Sequence, residues 1–456
     1  MITNTVEILK EKFTNSLGLP FSDLLPGEKI QKTIDDLGIK YYRRIFDPVV
    51  TVWAFLSQVL DIDKSCHNAV SRIIAWLSTE NVELPSTDTS AYCQARLRLP
   101  EELVKKLYRD SGELLENKVT QLQLWCGRHV NIIDTSTVSM PDTKENQLCY
   151  PQSCKQKKGC GFPIAKMGVI FSLATGAVIA SVIDKLNVND IKFARSLYEF
   201  LKPGDVLLGD RAFCSYADFY WIANRGFDAV FRKNDARKQK LETALITNQR
   251  DRIVIWHKPK SCPRGLTSSE FASLPKNLIV REISYSVNVA GFRTENVTII
   301  TTLLDTKAFP TDALIKLYYQ RWNVELNFLH LKTSLGMDIL RSKTPQMIRK
   351  EIYIYFLAYN LLRCLMWSAG SYYGVPPLRL SLQGTRHHFN NFLVHLSSVD
   401  SLVRHKIYFS LLAVIVHKTV PLRPNRVEPR VIKRRTKAYP KMQKPRDVLR
   451  KKLMVC

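Results

Sequence analysis

Apolar positions in the first 85 residues recur at helical spacing. Val6–Phe13 is amphipathic, Pro48–Leu60 is apolar almost throughout and suits a buried helix, and Ala69–Leu77 continues the period. Residues 78–90 turn polar around Pro85 and read as a loop. Ala91–Leu99 follows, and Pro100, suited to a first helical position, opens a helix to about Lys118. From Trp125 the period shortens to two. His129–Asp134 is a short β-type run ending in an acid, with Thr135-Ser136-Thr137 after it. Lys166–Leu173 and Ala177–Ile183 are strands joined by the turn Ala174-Thr175-Gly176. Asn189–Phe200 reads as a helix broken by Pro203-Gly204. Asp205–Asp210 is a second strand ending in an acid, Tyr216–Asn224 a helix, and Phe227–Phe231 a strand.

The order strand, strand, strand, helix, strand, helix, strand predicts an α/β fold with a ribonuclease-H-like catalytic core. Between Phe231 and Asp305 the chain is too long for a loop, and its β-type runs Ile253–His257, Leu278–Ser286 and Val297–Leu304 predict a β-rich insertion at about 233–305. Tyr318–Lys332 lacks Pro and Gly and predicts one unbroken helix. Gly336 caps it, and Glu351–Ser368 and Ser381–Ile415 read as further helices. The expected domains are a helical region at 1–120, the catalytic domain at 121–345, a helical C-terminal region at 346–420 and a basic arm at 421–456. That arm holds Pro421, Pro424, Pro429, Pro440 and Pro445 among its cations and reads as an extended segment that orders on DNA.

Charge narrows the function. The chain of 456 residues carries a formal net charge of +26, which points to a polyanionic partner, nucleic acid first and an anionic membrane surface second. The apolar run Ile352–Ala369 is long enough to span a bilayer, but Asn360 and Arg363 near its middle favour a buried core helix. No signal peptide is read, so the expected location is cytoplasmic and nucleoid-associated, with no membrane partner. Ten cysteines include no CxxC pair. Cys149, Cys154 and Cys160 cluster without a nearby histidine and read as reduced thiols.

The chemistry rests on three acids. Asp134 and Asp210 each end a strand, where α/β sites are usually built. On an ideal helix, Tyr318, Glu325 and Lys332 stack one above another with Arg321 close by and Trp322 on the same side. A helix with internal ion pairs, such as Arg321 to Glu325, accounts for that spacing equally well. Tyr318, Arg321, Glu325 and Lys332 nevertheless match the Tyr-(2)-Arg-(3)-Glu-(6)-Lys signature. In this the sequence resembles the DDE transposases of bacterial insertion sequences, in the group typified by insertion sequence four. Asp134-Thr135-Ser136-Thr137 and Asp210-Arg211-Ala212-Phe213 resemble that family's first and second catalytic blocks.

The resemblance implies a DNA transposase that cleaves insertion-sequence ends and joins them to target DNA by cut and paste. It implies Asp134, Asp210 and Glu325 as catalytic residues and as ligands of two Mg²⁺ ions, with Mn²⁺ as a substitute. Tyr318, Arg321 and Lys332 would contact phosphates, and Trp322 would hold a flipped base. The partners implied are double-stranded DNA, as terminal inverted repeats and as target, and a second copy of the chain in a synaptic homodimer. The family's end-binding role falls on the N-terminal helical region as a whole; within it, Arg96 and Arg98 read either as phosphate contacts or as a solvated basic turn. A nuclease of the same fold that does not join ends, and a non-catalytic DNA-binding protein, are the alternatives.

Overall fold

The structure is a computed structural model that describes residues 2–15, 19–234, 241–248, 250–263, 265–287, 295–396, 399–421 and 442–454. Helix α1 (Ile2–Phe13) and the single turn α2 (Leu19–Phe21) lead into α3 (Lys29–Asp36), α4 (Pro48–Leu60), α5 (Cys66–Leu77), α6 (Ser90–Arg98) and α7 (Glu101–Glu116). Strand β1 (Val130–Ser139), helix α8 (Lys144–Cys149), and strands β2 (Ile164–Ser172) and β3 (Val178–Lys185) come next. They precede α9 (Asp190–Leu197), β4 (Val206–Gly209), α10 (Tyr216–Asn224) and β5 (Asp228–Arg232). Four more strands, β6 (Leu241–Asn248), β7 (Asp251–His257), β8 (Asn277–Val287) and β9 (Glu295–Thr301), surround the short helix α11 (Ser268–Ser273). The chain closes with α12 (Thr311–Tyr319), α13 (Asn323–Leu329), α14 (Pro345–Tyr373), α15 (Leu382–Leu396), α16 (Ser401–His417) and α17 (Arg446–Met454).

These elements form two compact units. One gathers residues 1–120, 174–180 and 325–420; the other gathers 121–173, 181–324 and 421–456.

The first unit is helical. Its core is α14, which is buried along most of its length because Ile, Leu, Phe and Tyr occupy every side of it. Among the described residues no helix is long and apolar enough to cross a membrane, and the two polar residues in the run Ile352–Ala369 explain why it serves as core. The Asn360 amide donates to the carbonyls of Tyr108 (3.3 Å) and Val178 (2.9 Å) and to Ser111 Oγ (3.0 Å). Its own carbonyl accepts the Val178 amide at 2.8 Å. It thus behaves like one more backbone rung for the hairpin segment 174–180. Arg363 lies against Gly176, whose φ is +72° and where an added Cβ would come within 3.0 Å of the guanidinium carbon. Glycine is required there by conformation and by space.

Arg96 corrects the sequence expectation. Its guanidinium donates to Gln58 Oε1 at 3.1 Å and packs 4.4 Å from the centre of the Phe55 ring. Those partners belong to the helical core, whereas Arg98 stays exposed. Pro100 is the residue before α7, not its first.

The second unit is built on a nine-stranded sheet in the order β3-β2-β1-β4-β5-β9-β8-β7-β6. Strand β1 runs antiparallel to β2 and parallel to β4, and β4 is parallel to β5. This is the ribonuclease-H-like half of the sheet. The insertion supplies β6–β9, all antiparallel, and joins at β5 through β9. Strand β1 continues through Thr135-Ser136-Thr137 to Ser139, so Asp134 lies inside a strand and not at its end. The β-branched threonines pair with β2 up to Ile164. Inside the insertion, Arg281 and Asp251 form a fully buried ion pair. Arg281 also donates to the Phe309 carbonyl at 2.7 Å, and Thr311 Oγ1 donates to Asp251 at 2.6 Å. Burial alone would push the Asp251 carboxyl up, but these hydrogen bonds outweigh it and hold the group below its ordinary value. Thr311 is the first residue of α12, so the pair fastens the insertion to the start of the helix that leads into the signature segment.

Residues 422–441 of the expected basic arm lie outside the described residues. Arg446–Met454 forms a regular helix, contrary to the extended reading. The five prolines of this region all precede residue 446, which leaves the last stretch free to coil.

Replacing Asn360 by Leu would leave the Val178 amide and carbonyl buried without partners. The expected loss is about 2–4 kcal/mol of stability, read as a lower urea midpoint at unchanged slope.

Candidate active site

The parallel register of β1 and β4 decides where the first two acids stand. Ile132 pairs with Leu208. Two residues further along each strand come Asp134 and Asp210, at the same level and on the same side of the sheet. Neighbouring strands lie about 5 Å apart, so the two carboxylates are within strong electrostatic reach. Asp210 follows the last residue of β4, and its Oδ1 accepts the Ala212 amide at 2.7 Å. Asp134 Oδ1 accepts the Thr135 amide at 2.7 Å.

Burial pushes the Asp134 carboxyl up to about 6, and the charges of Asp210 and Asp190 push the same way; the Thr135 amide and Arg321 oppose them. Asp190, the first residue of α9, is an acid that sequence reasoning missed. It accepts from Thr135 Oγ1 at 2.8 Å and is ion-paired with Lys166 on β2. A signal was present: Asn189 caps α9, and an acid at the first position of a helix is a candidate by chemistry.

The signature segment is not one helix. Helix α12 ends at Tyr319, Gln320–Trp322 is a 3₁₀ turn, α13 follows, and His330–Ser334 is a π-turn. The phase resets because its two ends serve different cores. Leu314, Leu317 and Tyr318 are buried with the sheet, and Asn327, Phe328 and Leu331 with the helical unit. Tyr318 is only 8% exposed; its hydroxyl donates to the Gly209 carbonyl at 3.3 Å, next to Asp210. Burial raises that phenol to about 12, with Arg321 beside it acting in the opposite sense. Tyr318 therefore props Arg321 at the acids. Trp322 is 51% exposed.

The sheet unit thus brings together Asp134, Asp210, Tyr318 and Arg321. Glu325 is the first residue of the third stretch of the helical unit, where it lies exposed on α13 and Lys332 lies partly buried in the π-turn. On that helix Asn327 accepts from the Tyr359 hydroxyl (3.1 Å) and from Arg363 (2.8 Å). These buried bonds from α14 fix the rotation of the helix that carries Glu325. Among the described residues no group of three or more His, Cys, Asp or Glu side chains is disposed to hold a metal ion. The Cys149, Cys154 and Cys160 thiols are free.

A sequence model of the transposase DDE domain matches residues 125–361, from just before β1 to the middle of α14. The chain belongs to the DDE transposases. The transposase InsG of insertion sequence element IS4 from Escherichia coli strain K12 is 24% identical over 422 residues, 92% of this chain and 92% of that protein. Among solved structures, the piggyBac transposase synaptic complex with hairpin DNA aligns over 87% of this chain and 84% of that one, with 9% identity and a TM-score of 0.47. The transposase resembles the insertion sequence four group, as its Tyr-Arg-Glu-Lys spacing implies. The matched stretch contains Asp134, Asp210 and Glu325.

The helical unit of the transposase carries a pH dependence of its own. Burial pushes the His330 imidazole down to about 3, and the neighbouring Arg363, whose Nη2 lies 3.2 Å from its Nδ1, adds to this. Its folded value is below the unfolded one, so the unfolded chain binds the proton more readily. Stability is complete above about pH 6.5 and falls as the pH drops from there, by up to about 1.4 kcal/mol per pH unit for one proton. Urea titrations at stepped pH should show that slope, and His330→Gln should flatten it.

Proposed function

We propose that the protein cuts DNA at the ends of an insertion sequence and joins the freed ends to target DNA, using Asp134, Asp210 and Glu325 as its catalytic acids. The single observation that carries this reading is the parallel register that sets Asp134 level with Asp210 inside a stretch matched by the transposase family.

The donor chemistry fits a hard divalent cation. Two carboxylates sit side by side, one of them pushed up to about 6 by burial and by its neighbour's charge. A cation between them would relieve both effects. Asp134 and Asp210 would hold it from the sheet, and Glu325 would complete the set. When bound, Mg²⁺ or Mn²⁺ would stabilise charge on the attacking and leaving oxygens and lower the pKa of the attacking water.

The chain's own residues do the rest. Arg321, propped by Tyr318, places a cation next to the acids. It can pair with a phosphate beside the scissile one, fixing the strand's register without reading sequence. Lys332 offers a second phosphate contact. Trp322 offers an exposed aromatic face for a base that has left the stack. A homodimer that holds two DNA ends completes the proposed reaction.

A supercoiled plasmid carrying the element ends, incubated with Mg²⁺, tests the reading. Joined products support it, and cleavage without joining overturns the transfer step. A retarded band without cleavage overturns the catalytic assignment. Glu325→Ala should lower cleavage by about a hundredfold to a thousandfold, the scale of losing a principal charge-stabilising group, while DNA affinity changes by less than a few fold. Arg321→Ala should reduce both cleavage and complex formation, and a change in cleavage alone would remove it from the phosphate contacts.

A further inference from the structure

Helix α17 does not hang free. The Arg446 guanidinium donates to the Gly161 carbonyl at 3.0 Å, pairs with Asp142 at 2.8 Å and stacks 4.2 Å from the centre of the Phe162 ring. The Arg446 amide donates to the Gly159 carbonyl at 3.3 Å. Pro445 lies so close to Gly159 that an added Cβ there would come within 3.0 Å of it. The seat is the loop that follows α8, and that loop is cross-tied by one side chain. The Gln152 side chain accepts the amides of Gly159 and Gly161, each at 3.0 Å. It also donates to the carbonyls of Gln156 (3.1 Å) and Lys157 (2.9 Å). One glutamine thereby ties down four backbone groups around Lys155, Lys157 and Lys158.

Those three lysines are exposed, and so are Arg450, Lys451 and Lys452 on α17. Asp142 is already paired with Arg446, and Asp447 is the one acid on the helix. Two segments far apart in the chain therefore present six cations from one body. We infer that the docked helix and the lysine loop form a composite surface that grips the phosphate backbone of duplex DNA. This rests on the reading of the chain as a DNA-cleaving transposase. The loop leads into β2, whose first residue Ile164 pairs with Ser139 at the end of β1, and Asp134 stands five residues before Ser139 on that strand. At about 3.4 Å per residue this is about 17 Å, or about five base pairs of duplex. The surface meets the same duplex that presents its scissile phosphate to Asp134, starting about five base pairs away.

The test uses the full chain and a duplex carrying one element end with its flanking sequence. Affinity is measured over a range of salt for the wild type and for two variants. One is Lys155→Gln/Lys157→Gln/Lys158→Gln, the other Arg450→Gln/Lys451→Gln/Lys452→Gln. Each variant should lower the slope of log affinity against log salt by about 2–3, near 0.9 for each phosphate that is no longer neutralised. Hydroxyl-radical protection should disappear beginning about five base pairs from the cleaved phosphate. Arg446→Ala removes one charge but unseats the helix, so its slope should fall by about as much as that of the α17 variant. Unchanged slopes and footprints in both triple variants would overturn the proposal even while the wild type still binds and cuts. A wild type that neither binds nor cuts the duplex overturns the underlying reading. A fall for the α17 variant with no effect of Arg446→Ala would overturn the docked arrangement.

Discussion

Two negative charges held level on adjacent strands are the constraint to which the sheet unit answers. The β1–β4 register cannot slip by one residue without turning one carboxylate to the opposite face. In the observed register Ile132 and Leu208 pair and are both fully buried. Apolar packing along β1 and β4 thus forces the two acids together against their repulsion. Arg321 and the amides of Thr135 and Ala212 offset part of the cost. Burial first, and the charge of Asp210 after it, still leave the Asp134 carboxyl raised.

The signature segment answers a second demand. Its first half must bury apolar groups with the sheet and its second half with the helices. An undistorted helix would hold one phase throughout. The 3₁₀ turn at Gln320–Trp322 and the π-turn at His330–Ser334 adjust the phase on either side of α13. The buried polar contacts Tyr318 to Gly209 and Asn327 to Tyr359 and Arg363 each fix one side of the adjustment.

Much of this was readable in the residues. The alternation from His129 to Phe231 contained the core strands in order, and Pro48–Leu60 is a helix with the bounds its composition implies. The misreadings share a cause, which is that local pattern does not register distant partners. Thr135-Ser136-Thr137 has the composition of a turn, yet it continues β1 because β2 lies alongside. Arg96 reads as a surface cation until Phe55 and Gln58 are brought against it. Strand β6 escaped notice because Glu242, Thr243 and Asn248 interrupt any apolar period, and only pairing with β7 makes it a strand. The same blindness hid Asp190, whose partners Thr135 and Lys166 lie on two other elements.

The continuity of the nine-stranded sheet has an evolutionary consequence. An inserted domain on flexible stalks can be lost or exchanged with little harm to its host. Here β9 covers what would otherwise be the open flank of β5, and the Asp251–Arg281 pair reaches from β7 and β8 to the opening residue of α12. Excising β6–β9 would expose an unpaired strand and strip the buried partners from the start of the segment that leads to Glu325. The region between the second and third acids is thus a structural extension of the core, and variation in it should be tolerated at the loop tips between its strands and resisted along the strands themselves.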